Sequence, residues 1–120
     1  VVLGLENHWG LGISAKNVKK IIDEIDSPWL KATLDTGNFL EDRDSQIKNL
    51  APYACLVQAK TYFGGGVWYT LDIDYESIGK VMRDNNYKGY ISLEFEGNED
   101  PMTAIPKSLE VLKKNFFYRI

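Results

Sequence analysis

The chain has 120 residues, 44% hydrophobic and 26% charged, the composition of an ordinary globular domain with enough apolar side chains for one core. Its 14 Lys and Arg stand against 17 Asp and Glu, a net charge of −3, so the basic excess of an electrostatic nucleic-acid binder is missing. No apolar run approaches the roughly 18 residues that span a bilayer, and no signal-peptide pattern is seen. We read residues 1–120 as one domain in a cytoplasmic setting, with no nucleic acid or membrane as partner. The opening Val1-Val2-Leu3, without an initiator Met and with an apolar run already under way, reads as a piece of a longer protein.

The elements alternate along the chain. Val1-Val2-Leu3-Gly4-Leu5 is a short continuous apolar run, expected as a strand buried on both faces. Ser14 can cap a helix in which Val18, Ile21, Ile22 and Ile25 fall on one face. Ala32-Thr33-Leu34 is a second strand, followed by a helix capped by Asp44 or Ser45, carrying Ile47, Leu50 and Ala51 and stopped at Pro52. Ala54-Cys55-Leu56-Val57 is the third strand, where the lone cysteine is expected as a buried, reduced, small hydrophobe. Gly64-Gly65-Gly66, between Tyr62-Phe63 and Trp68-Tyr69, reads as a mobile loop with aromatic walls that closes over a sugar ring. It is no phosphate loop, because no Lys-Ser/Thr pair follows the glycines. Asp74 can cap a third helix facing inward through Ile78, Val81 and Met82, and Gly89–Leu93 is the fourth strand. Pro101 begins the last helix, with Ile105, Leu109, Leu112 and Phe116 in one stripe and Lys113-Lys114 at its C-terminal end.

This βαβαβαβα order demands a parallel sheet with helical crossovers. Four units make either a small open α/β sheet or half of an eight-unit barrel, which takes about 250 residues. Each strand runs into a polar residue: Glu6, Asp35, Gln58 and Glu94. The C-terminal strand ends of parallel α/β folds form the active face. Three carboxylates crowded there repel one another unless a cation or protons neutralise them. Two Glu, one Asp and an amide oxygen make a hard set suited to Mg²⁺ or Mn²⁺.

Leu-Glu-Asn-His-Trp-Gly at 5–10, Leu-Asp-Thr-Gly-Asn at 34–38, Gln-Ala-Lys at 58–60 and Ile-Ser-Leu-Glu-Phe-Glu-Gly at 91–97 resemble the sugar phosphate isomerase/epimerase family of xylose-isomerase-like TIM barrels. The resemblance covers essentially the whole chain and implies a (βα)₄ parallel-sheet segment, the C-terminal half of a (β/α)₈ barrel. It implies that Glu6, Asp35 and Glu94 are carboxylate ligands of a divalent metal, Mg²⁺ or Mn²⁺ before Co²⁺ or Zn²⁺. By the same resemblance Gln58 stands at the fourth ligand position, where better-known relatives carry histidine, and either ligates through its amide oxygen or lies only nearby. It further implies that Glu6 and Glu94 are the acid/base pair, moving a proton at the carbon beside a sugar carbonyl through an enediolate.

Four more residues are expected around the substrate, a small sugar or sugar phosphate. His8 lies two past Glu6, Asn38 three past Asp35, Lys60 shares a strand side with Gln58, and Glu96 shares one with Glu94. A metal-dependent polyol dehydratase of inosose type is a rival within the same fold, and a catalytically incomplete structural or binding fragment is a rival outside it. A type 2 apurinic endonuclease is disfavoured, because a multi-zinc site needs several histidines and the chain has one. Four strands cannot close a barrel, so two copies are expected to pair first strand with last as a homodimer, or the chain to meet an N-terminal half-barrel.

Overall fold

The short apolar runs of the sequence become the strands of a single parallel sheet. A computed structural model describes residues 1–117 and gives β1 (Leu3–Glu6), α1 (Ala15–Ile25), β2 (Leu30–Asp35), α2 (Arg43–Leu50), β3 (Ala54–Thr61), α3 (Tyr75–Asp84), β4 (Tyr90–Phe95) and α4 (Pro101–Phe116). The sheet order is β1-β2-β3-β4, every neighbouring pair parallel. Each helix packs on the next, α1 on α2, α2 on α3 and α3 on α4. The result is the four-unit half of a barrel wall.

The helix starts follow local chemistry. Ser14 Oγ accepts from Asn17 N at 3.2 Å and Asp74 Oδ1 from Ser77 N at 2.9 Å, satisfying amides that a helix leaves unpaired. Pro101 opens α4, its missing N–H costing nothing in the first turn. The start of α2 departs from expectation. Neither Asp44 nor Ser45 caps it; Asp42 holds the cap position in a left-handed backbone (φ 46°), and Asp44 sits in the first turn, where the helix dipole favours an anion.

One face of the sheet carries the core. Ala32, Leu34, Val57 and Ala59 are buried there against Val18 and Ile22 of α1, Ile47 and Leu50 of α2, Ile78 and Met82 of α3 and Leu112 of α4. Two predicted stripes need correction. Ile25, the last residue of α1, is exposed where the chain turns through left-handed Asp26. In α4 the buried line is Ala104, Ser108 and Leu112, while Ile105 (39%) and Leu109 (41%) lie on an exposed flank. Small residues let α4 approach the sheet, and Ser108 Oγ bonds Thr61 Oγ1 at 2.8 Å.

The opposite face is open. Thr33 pairs with Leu56 although Ala32 pairs with Ala54, so Cys55 is an extra residue in a bulge. That bulge turns Cys55 toward the open face, half-buried rather than buried. Gly4 is required beside it, because a Cβ there would lie 2.2 Å from Thr33 Oγ1. Val1, Val2 and Leu3 are exposed and not buried on both faces, because β1 has a neighbour on one side only. β4 ends the sheet on the other side, with Tyr90 85% exposed. Phe116 packs edge-on against Tyr75 at 5.9 Å.

Candidate active site

β3 and β4 run further than their apolar runs, which carries polar residues into the sheet. Gln58 and Lys60 lie within β3 and Glu94 within β4, with Asp35 opposite Gln58 and Lys60 opposite Glu94. Alternation puts Asp35, Gln58, Lys60 and Glu94 on the open face near the C-terminal strand ends, away from the core. Glu6 ends β1 on the same side.

Lys60 is the centre of the cluster. The residue is buried at 4% exposure, and its Nζ donates to Glu96 Oε1 at 2.9 Å and Asn38 Oδ1 at 3.0 Å. The same ammonium stands 3.8 Å from Asp35 Oδ2 and 3.9 Å from Glu94 Oε2. Burial works against this charge, but the Glu96 hydrogen bond and the fields of Asp35, Glu94 and Glu96 outweigh it and raise its pKa. Glu94 also accepts from Gln58 Nε2 at 3.1 Å. Asn38 carries the network to β1, donating from Nδ2 to Glu6 Oε1 at 3.1 Å and to the Asn7 carbonyl at 3.0 Å.

Asp35 is wholly buried. Its Oδ1 accepts from Gly37 N at 2.8 Å, while among the described residues Oδ2 has no hydrogen-bond partner. Burial pushes its carboxyl well above the ordinary carboxylate range, helped by Glu94 and opposed by the Gly37 amide and by Lys60. A buried, half-satisfied carboxylate oxygen costs free energy until a cation or proton meets it.

The backbone beneath is held by residues that sequence reading missed. The buried Asn7 amide grips the Asp35 peptide from both sides, accepting from Asp35 N at 2.7 Å and donating to Asp35 O at 3.0 Å. Thr36 Oγ1 accepts from Lys60 N at 3.0 Å and bonds Tyr75 Oη at 3.1 Å, and Tyr75 Oη donates to Lys60 O. Gly37 makes room for the lysine stem, since a Cβ there would sit 2.6 Å from Lys60 Cδ. Asn7 directly follows Glu6 at a strand end, a signal of sorts; nothing along the chain marks Thr36 or Tyr75 as partners of Lys60.

Of the expected site residues, the structure brings together Glu6, Asp35, Asn38, Gln58, Lys60, Glu94 and Glu96, and leaves His8 aside. His8 is exposed, and its Nδ1 accepts locally from Trp9 N at 2.8 Å. The ligand set is not preassembled: among the described residues no three His, Cys, Asp or Glu side chains converge to hold a metal. Asp35 and Glu94 flank the Lys60 ammonium, and Glu6 joins through Asn38. Gln58 meets Glu94 through its nitrogen, so ligation through its oxygen requires the amide to turn. The Gly64–Gly66 loop, expected to be mobile, makes several backbone bonds in the structure. It is tied to the segment after β4 by Glu99 N to Phe63 O (3.0 Å), Asn98 N to Gly65 O (2.8 Å) and Val67 N to Glu96 O (2.9 Å). Its glycines serve close backbone approach: a Cβ on Gly64 would lie 2.5 Å from Glu99 N. The aromatic wall is present, with Tyr62 and Tyr69 rings 6.1 Å apart and Tyr69 Oη donating to Gly37 O at 3.3 Å.

A family model described as xylose isomerase-like TIM barrel matches residues 1–115. The chain belongs to this family. No curated protein sequence matches it. Among solved structures, 3-keto-D-glucoside 4-epimerase from E. coli in apo form is 21% identical with a TM-score of 0.76, aligned over 95% of this chain and 46% of its own. An L-ribulose 3-epimerase (21%, TM-score 0.66) aligns over 92% and 39%, and a D-psicose 3-epimerase from Clostridium cellulolyticum H10 with D-tagatose (15%, TM-score 0.68) over 88% and 45%. At these identities the likeness is one of fold, and the chain spans less than half the length of each. As a xylose isomerase-like segment, it presents its buried polar cluster where this barrel architecture concentrates chemistry, at the C-terminal strand ends.

Proposed function

We propose that the chain is the C-terminal half-barrel of a divalent-metal-dependent sugar epimerase or isomerase, working in the cytoplasm on a sugar or sugar phosphate. The observation that carries this reading is the bare Asp35 Oδ2, buried and facing the Lys60 ammonium with Glu94 alongside. The sugar epimerases among its structural neighbours support the substrate class.

The donor types suit a hard cation once the side chains turn toward one another. Asp35, Glu94 and Glu6 supply anionic oxygens, Gln58 a neutral one, and the set lacks the sulfur and imidazole that favour softer metals. When bound, Mg²⁺ or Mn²⁺ polarises a sugar carbonyl and its neighbouring hydroxyl, lowering the cost of removing the proton between them. The side chains do the rest. Glu94, held by Gln58 Nε2, takes the proton from the carbon beside the carbonyl, and Glu6, held by Asn38 Nδ2, returns one. Lys60 and Asn38 bind sugar oxygens, and Glu96 holds Lys60. The open sheet face receives a second half-barrel, either the N-terminal half of a longer chain or a second copy.

Hydrogen–deuterium exchange at the carbon beside the carbonyl, followed by NMR over a panel of ketoses and 3-keto sugars with Mn²⁺, tests the reading. Glu94→Gln is expected to slow exchange by about 10²- to 10⁴-fold, the usual span of acid/base assistance. Exchange that the variant leaves unchanged removes Glu94 as the base.

A further inference from the structure

Lys60 competes for the same carboxylates that a metal would need, yet its closest contacts are elsewhere. Its short contacts, 2.9 and 3.0 Å, go to Glu96 and Asn38, while Asp35 Oδ2 and Glu94 Oε2 stand at 3.8 and 3.9 Å, within ion-pair range but beyond hydrogen-bond distance. An ammonium released from Glu96 would close that gap toward whichever of the two carboxyl groups is ionised, because a buried charge pair strengthens as it shortens. Glu96 can prevent this because its own backbone is fixed on both sides, its N–H donating to Thr61 O at 3.0 Å and its carbonyl accepting from Val67 N at 2.9 Å.

We propose that Glu96 is a positioning residue that parks the Lys60 ammonium away from Asp35, keeping Oδ2 bare for a divalent cation and so setting the affinity of the site. This inference rests on the metal-site reading and adds to it a residue that need not touch the metal. The flexible lysine stem makes the device workable: Gly37 gives it room on one side, and the short Nζ to Oδ2 gap is within reach of a small torsional change. Without Glu96, Lys60 swings onto Asp35 and Glu94 and becomes the resident cation.

The test is a double-mutant cycle in Mn²⁺ affinity, measured by calorimetric titration of the chain, Glu96→Ala, Lys60→Met and the double variant. Removing one negative charge at position 96, or loosening the fold there, weakens Mn²⁺ equally whatever stands at position 60. Parking predicts coupling: Glu96→Ala lowers affinity about tenfold or more with Lys60 present and changes it little in the Lys60→Met background. Equal losses in both backgrounds overturn the parking role while leaving the metal site standing. Failure of the unmodified chain to bind Mn²⁺ overturns the metal-site reading and the parking role together. Should Glu96→Ala fail to fold by circular dichroism, Glu96→Gln replaces it, with a smaller loss again confined to the background that keeps Lys60.

Discussion

Asn7 accepts from the Asp35 amide at 2.7 Å and donates to the Asp35 carbonyl at 3.0 Å, all out of contact with water. Asn7→Ala removes both bonds and strands two buried backbone groups, so a loss of about 2–4 kcal/mol is expected in urea denaturation. A loss below about 0.5 kcal/mol, the range of an ordinary surface change, would show that the clamp contributes nothing. Glu6, Asp35 and Glu94 were legible because each follows an apolar run, and side-chain alternation then put Lys60 beside Gln58. Asn7, Thr36 and Tyr75 were not, since their roles depend on pairings with residues 28, 24 and 15 positions away. His8 is close to Glu6 in sequence, but its hydrogen bond is to the neighbouring Trp9 amide and not to the cluster.

At the scale of elements, the alternation of short apolar runs with capped helical stripes specified four βα units, and all four are present. What the pattern misplaced was orientation. In α4 the large residues Ile105 and Leu109 suggested the inner face, but close approach to the sheet, through β4 and the Thr61 end of β3, selects Ala104 and Ser108 instead. The two leucines of that helix therefore separate. Leu112→Ala is expected to cost about 2–4 kcal/mol, as a buried leucine does, and Leu109→Ala less than about 1 kcal/mol, with thermal unfolding as the readout. Equal costs would restore the original stripe. The bulge at Cys55 was invisible for a related reason, because an inserted residue in an apolar run leaves no compositional mark. The glycine loop was visible, but its close backbone approach to Glu99 and Asn98 was not, because glycine marks close approach as readily as mobility.

At the scale of the molecule, among the described residues two unpaired strand edges and an open sheet face lined by Tyr90, Ser92 and Lys31 remain after the helices have covered the other side. Unpaired parallel edges recruit further strands, and an isologous pairing of β1 with β4 rebuilds eight strands from two chains. Sedimentation equilibrium at micromolar concentration is expected to give twice the 13.7 kDa of one chain; a non-associating monomer contradicts that assembly. The same open face holds the carboxylate cluster, so the proposed assembly and the proposed chemistry share one surface. Titration with Mn²⁺, following the free ion by electron paramagnetic resonance, asks directly whether the cluster at Asp35, Glu94 and Glu6 is a cation site. One saturable site in the chain, abolished by Asp35→Asn, is the result expected; no saturable uptake, or uptake undiminished in the variant, contradicts it.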